Sequence, residues 1–202
     1  MQVSLRERKK ARTRASLREH ALRLFREQGY QATTVEQIAA AAELSPSTFF
    51  RYFPTKEDVV LQDDMDTRML EAFARQPRDL GPIAAVRAAM REAWASFTRD
   101  EWAQFRESAR LARDVPEVRA RSLNEYARLI NVIGRAIADR EGRPADDLRV
   151  RVVAGAIIGA MMAVFMPEHL DEGVGPDPDS VGPESLVRVD QALALLEEGL
   201  PL

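Results

Sequence analysis

Cysteine is absent from this chain of 202 residues, which excludes disulfides, thiolate metal sites and a thiol nucleophile, and suits a reducing, cytoplasmic setting. Histidine is nearly absent. His20 sits among basic residues, and His169 is flanked by Glu168, Asp171 and Glu172. Acidic residues gathered in a loop read as a solvated turn, so no metal site is expected. Glycine-rich phosphate loops, nucleophile elbows and HExxH runs are missing as well, which argues against an enzyme, and no cofactor is expected. The longest apolar run, residues 152–166, has 15 residues and falls short of the ~20 that span a bilayer. It reads as a buried helix, and no membrane partner is expected. No apolar run of the secretory kind follows the charges of MQVSLRERKKARTR at the start.

What is present is an ordinary globular composition, 46% hydrophobic and 30% charged, long enough for one large or two small cores. The net charge of -3 conceals a division. Residues 1–56 carry 11 Lys and Arg against 5 Asp and Glu, whereas residues 57–202 carry 18 against 27. A basic end on an acidic body either presents that end to phosphates or is a solvated tail.

Apolar residues recur at helical spacing almost throughout and no strand pattern stands out, so the fold class is all-α with about nine helices. The first spans residues 13–28, with Leu17, Ala21, Leu24 and Phe25 on one face and Gly29 as its left-handed stop. Thr34 and Gln37 form a capping box for a second that ends near Ala42. Ser45 caps a third, with Pro46 at its first position and Pro54 beyond its end. Thr55 caps a fourth that is expected to run unbroken to about Arg75, before QPRDLGP interrupts the pattern. Helices over 82–98, 100–113 (capped by Asp100), 116–140, 145–166 and 184–198 complete the set, with a Gly, Pro and Asp-rich loop over 170–183. The organisation is a three-helix domain over residues 1–55, with a basic arm, and a larger helical domain over 56–202.

Two short helices separated by Ala42, Glu43, Leu44 and Ser45, the first apolar at Val35, Ile38 and Ala39, make a helix-turn-helix. The run ATTVEQIAAAAELSPSTFFRYFPTKEDVV, residues 32–60, closely resembles the DNA-binding signature of the TetR family of regulators. The shared features are the paired threonines, the Ile-Ala of the second helix, Ser-x-x-Thr opening the third, its aromatic close and Phe-Pro-Thr-Lys-Glu. They reach back to residues 22–29; beyond residue 60 only the helical pattern and chain length match. The resemblance implies a transcriptional regulator, more commonly a repressor, that binds a palindromic operator in double-stranded DNA as a homodimer and is released by a small-molecule effector.

In that role the small side chains of Ser45, Pro46, Ser47 and Thr48 let the third helix enter a major groove ~12 Å wide. Its free amides and positive dipole end then meet a phosphate. Phe49 and Phe53, four apart, are expected to face inward against Phe25 and Ile38, leaving Phe50, Arg51 and Tyr52 outside. The resemblance places Thr34, Phe50, Tyr52 and Lys56 on backbone phosphates, contacts that fix register without reading sequence. Many family members carry tyrosine where Phe50 stands; phenylalanine has no hydroxyl to donate and packs against sugar or a thymine methyl. Arg51 either bonds a guanine in bidentate fashion or meets a phosphate. Glu36 and Gln37 lie at the groove edge. The basic residues between Arg6 and Arg14 are expected to form a disordered arm that adds salt-sensitive affinity.

In the larger domain, Met90, Trp94, Phe97, Trp102, Phe105, Tyr126, Ile130, Met161, Met162 and Phe165 gather bulky, soft side chains on the fifth to eighth helices. They either fill a plain core or line an adaptable apolar pocket. The resemblance implies the pocket, with a largely apolar ligand tilting the fourth helix. Gly155 and Gly159 open a flat stripe on the eighth helix, and Leu186, Leu193 and Leu196 lie on the ninth. These last two helices form the dimer interface in the family; the alternative is that the stripe packs within one chain. A helix-turn-helix regulator that answers a protein partner, or binds constitutively, is the second reading of the whole.

Overall fold

A computed structural model of the chain describes residues 4–62, 65–165 and 181–200. Among the described residues there are ten helices and no strand. They are α1 (Leu5–Gln28), α2 (Val35–Ala41), α3 (Pro46–Tyr52), α4 (Lys56–Leu61), α5 (Met65–Arg75), α6 (Pro82–Ala95), α7 (Arg99–Asp114), α8 (Pro116–Glu141), α9 (Leu148–Phe165) and α10 (Pro183–Glu197). Met166, the His169 cluster and residues 170–180 of the expected loop lie outside the described residues.

Four departures from the expected helices have local causes. α1 begins at Leu5, so the basic arm continues the helix instead of being disordered. Residues 5–12 hold no glycine, proline or β-branched residue to stop it. The expected fourth helix is two. Gln62 leaves helical geometry (φ -95°, ψ 110°) and closes α4, while its side chain accepts from Arg14 at 3.0 Å. Finally, α7 is capped by Thr98 in a box with Glu101, not by Asp100. α9 likewise starts at Leu148, where Asp147 accepts from the Arg149 amide at 2.8 Å.

Side-chain caps at Thr34, Ser45 and Thr55 start α2, α3 and α4, each worth ~1 kcal/mol to helices too short to stand alone. Gly29, at φ 86°, turns the chain out of α1. Between α2 and α3 the left-handed position falls to Glu43, at φ 56°, a conformation that costs a side-chain-bearing residue about 1 kcal/mol.

Two apolar cores result. The first joins Leu17, Leu22, Phe25, Ile38, Phe49 and Phe53 to Val59 and Val60 of α4, and is sealed by Leu111, Ala112 and Val118 of α7 and α8. The second gathers Phe73, Val86, Met90, Trp94, Ile137, Val150, Ile157, Val189 and Leu193. Arg140 holds the turn after α5 by donating to the carbonyls of Gln76 at 3.2 Å and Leu80 at 3.0 Å, and to that of Pro77. Arg87 clasps α10 to α6 through Asp190 at 2.9 Å and Glu197 at 2.6 Å. By length and composition α9 is apolar enough to cross a membrane, yet Val150, Ala154, Ile157 and Ile158 are buried in the chain and α9 packs between α8 and α10. Its burial is confined to one face, 28% of the helix, so the expectation of a buried helix holds for that face only.

Candidate nucleic-acid interface and cavity

Phe49 and Phe53 are fully buried, their rings 5.7 Å apart in the first core. Anchoring both turns the rest of α3 outward. Phe50 is 51% exposed, Arg51 is exposed, and Tyr52 is half-buried with the Arg51 guanidinium 5.4 Å from its ring. This contact directs the arginine along the outer face of the helix. At the other end the Ser45 hydroxyl accepts from the Thr48 amide at 3.2 Å and pairs with the hydroxyls of Ser47 and Thr48, both at 2.9 Å. Ser45, Pro46 and Ser47 are exposed, Thr48 half-buried; Thr34 and Glu36 are exposed at the start of α2.

Two of the residues expected at the interface are committed elsewhere. The Gln37 amide oxygen accepts from the Thr34 amide and from Gln28 Nε2, each at 2.9 Å, so this side chain closes the start of α2 instead of reaching toward a groove. Lys56 donates to the carbonyls of Tyr30 at 2.9 Å and Thr33 at 3.1 Å, and its ammonium lies 4.0 Å from the Tyr30 ring centre. An ammonium has three N–H groups, so two are taken up in holding the α1–α2 turn. Burial lowers the lysine's pKa from its ordinary value. Tyr30 donates to Glu57 at 2.6 Å, and burial, with that carboxylate, raises its phenol pKa. Periodicity carries no sign of this cluster, because its members are 23 to 27 residues apart. Asp58 completes the junction: fully buried, it accepts from the Thr55 amide at 3.1 Å and from Arg121 Nε at 2.9 Å, tying α4 to α8.

Behind the head, α4 to α9 and Arg18 of α1 border a half-open cavity of about 210 Å³. Trp94, Phe105, Tyr126, Met161 and Phe165, all expected there, line it. Met90 lines an adjoining hollow of about 80 Å³. Phe97 lines a neighbouring cleft with Arg14, Arg68 and Glu101, which shares Arg18 and Met65 with the cavity. Trp102, Ile130 and Met162 line none of these. Trp102 is wedged between Phe97 and Phe105, at 5.1 and 6.3 Å. α8 presents Ser122, Glu125, Tyr126 and Leu129 to the cavity, and α9 presents Ile158, Met161 and Phe165. Ile130 and Met162 follow lining residues by one position and so point about 100° away.

Attention to bulky apolar residues alone misses the polar part of the wall. Asp66 and Glu125 line the cavity and both bond Arg128. Arg18 of α1 donates from Nη2 to the Ser108 hydroxyl at 2.9 Å and from Nη1 to Gln104 at 2.9 Å, while Ser108 donates to the Val60 carbonyl at 2.9 Å. Burial raises the Tyr126 phenol pKa. The spacing of Ser122, Glu125, Tyr126 and Leu129 was the available signal for a mixed polar and apolar face.

A third surface lies on α9 and α10. Leu148, Val152, Val187 and Leu195 are exposed, as is Gly159, and Gly155 is half-buried with nothing near the position of a Cβ. Leu186 and Leu196 pack partly against the second core. Leu193 is fully buried in that core, so it belongs to the inner face of α10 and not to any surface between chains.

Comparison with known proteins agrees with this arrangement. The model for the N-terminal region of bacterial regulatory proteins of the tetR family matches residues 17–62, and that for the MftR C-terminal domain matches residues 80–201. The HTH-type transcriptional regulator TcmR of Streptomyces glaucescens is 39% identical over 151 residues, covering 71% of this chain and 66% of its own length. MftR of Mycobacterium tuberculosis, whose name assigns it to the regulation of mycofactocin biosynthesis, is 28% identical over 180 residues, covering 83% and 85%. Among solved structures, Thermus thermophilus FadR, a TetR-family repressor in complex with lauroyl-CoA, superposes with a TM-score of 0.55 at 25% identity, covering 94% of this chain and 95% of that one. A Mesorhizobium loti protein shares the fold with a TM-score of 0.53 at 16% identity, covering 94% and 96%.

Proposed function

Because the chain belongs to the TetR family of bacterial transcriptional regulators, we propose that it is a cytoplasmic, ligand-responsive repressor that binds a palindromic operator as a homodimer and is released by a small, largely apolar effector. The head is residues 1–55 and the sensing body residues 56–202. One observation carries this reading: α1, whose Leu17 and Phe25 share a core with Phe49 of the outward-facing α3, is hydrogen-bonded through Arg18 into the wall of an aromatic-lined cavity. Phe50, Arg51 and Tyr52 face the duplex; Thr34 and Ser47 grip phosphates beside them. The outer faces of α9 and α10, apolar at Val152, Val187 and Leu195, are the surface that joins two copies, as twofold operators require. The lauroyl-CoA of the Thermus relative is a precedent for an effector with an apolar tail.

The test is selection of bound duplexes from a random pool, followed by affinity against salt. A twofold-symmetric consensus is expected, with Arg51→Ala weakening binding to it by about tenfold. Equal affinity for unrelated duplexes at moderate salt overturns the repressor reading.

A further inference from the structure

Among the described residues, the polar wall of the cavity touches the head at Arg18. Arg18 and Ser108 are both about nine-tenths buried, at 8% exposure each, and both line the cavity together with Val60. The Ser108 hydroxyl accepts from Arg18 of α1 and donates to the Val60 carbonyl of α4. Val60 lies in the last turn of α4, where carbonyls have no partner within the helix. A single hydroxyl on α7 therefore joins a carbonyl of α4 to one N–H of the α1 guanidinium, whose Nη1 donates to Gln104 on the same helix α7. Buried groups of this kind need their partners, so the chain of bonds forms in one relative placement of α1, α4 and α7 and is broken in others. A guest that bonds to Ser108, or pushes α7 away from α4, competes with it directly.

We propose that the Arg18–Ser108–Val60 chain is the link that reports filling of the cavity to the DNA-binding head, with Ser108 its positioning residue. The inference rests on reading the cavity as the effector site. It assigns the coupling to a side-chain bridge into α1, in addition to any movement of α4. The bridge holds the head in the placement of the empty cavity, which in the repressor reading is the one that binds DNA. Arg14 and Gln62 form a second bond between α1 and the end of α4, but neither lines the apolar cavity. That pair supplies a control.

The experiment fills the cavity by substitution and needs no identified ligand. Met161→Trp, from the α9 wall, is placed in three backgrounds: the unaltered chain, Ser108→Ala and Gln62→Ala. Affinity is measured for the duplex recovered by selection, after circular dichroism has verified helical content. Leu129→Phe, from the α8 wall, replaces Met161→Trp if that variant does not fold. Filling is expected to weaken DNA binding about tenfold in the unaltered chain and in Gln62→Ala, but by no more than about twofold in Ser108→Ala. Ser108→Thr, which keeps a hydroxyl, is expected to restore the response. An equal loss in Ser108→Ala and the unaltered chain overturns the link while leaving the cavity as the sensing site. No loss on filling the unaltered chain overturns the sensing site itself, and the link with it.

Discussion

The head and the body are built from the same element and pack it differently. In the head, α2 and α3 are seven residues each, both capped by side chains and wrapped around Phe49 and Phe53 with no exposure of either ring. In the body, α6 to α10 run from 14 to 26 residues, and α4 to α9 border an opening of about 210 Å³. Short helices are not stable in isolation; a head made of them holds its shape only if every cap and every core contact is present. Longer helices bury enough in aggregate to tolerate a void. The contrast suits the two tasks proposed for them: a DNA-contacting α3 would present its outer face in one geometry, whereas a sensing body would need two placements of similar free energy.

The sharpest way to break that contrast is to delete one large side chain from each region. Phe49→Ala is expected to cost about 3–5 kcal/mol in denaturant unfolding and to abolish DNA binding. Phe105→Ala, at the cavity wall, should cost less than half of that, because its neighbours already border open space. Equal losses would mean that the body is packed as completely as the head.

A smaller effect separates buried from exposed ion pairs. Asp58→Ala removes a cap and leaves Arg121 without its buried partner, a loss of about 2–3 kcal/mol. Glu92→Ala, which releases the exposed Arg75 in the body, is expected to stay within about 0.5 kcal/mol. Thermal unfolding of the two variants side by side measures the difference.

The smallest effect concerns acid. Hydrogen bonding from Arg87 holds the Asp190 carboxyl below the usual aspartate range, against the opposing effect of burial. A depressed folded-state pKa contributes stability that is present above the unfolded value of about 3.9 and lost as pH falls through the lower folded one. Asp190→Asn should therefore flatten the acid limb of the stability profile by up to about 1 kcal/mol. It should leave the selected DNA consensus unchanged, since the clasp joins α6 to α10, far in sequence from the head. A shifted consensus would show that the two regions are not separable.

Most of the helices were legible in the residues because their signals are local. Thr34 with Gln37, Ser45 with Pro46, and Gly29 after α1 lie within a turn of what they control. The early start of α1 was missed because charge suggested disorder where helix propensity prevailed. The break between α4 and α5 was missed because apolar spacing carries across it. At the cavity, the aromatic half was legible from residue type alone and Ser122 from its spacing to Tyr126 and Leu129, whereas Ser108 and Arg18 carry no mark of burial in their order.

What the order of residues determines by itself is therefore the all-α class, the helix-turn-helix at its position, and the outer face of α3 left by burying Phe49 and Phe53. Each follows from spacings of three or four residues, which set the face of a helix directly. Tertiary structure alone decided that Gln37 also bonds Gln28 of α1, that Lys56 holds the α1–α2 turn, that Leu193 faces inward, and that Arg18 reaches the cavity. Arg18 and Ser108 are 90 residues apart and Ser108 and Val60 are 48, and a bond between such residues exists only once the helices between them have packed.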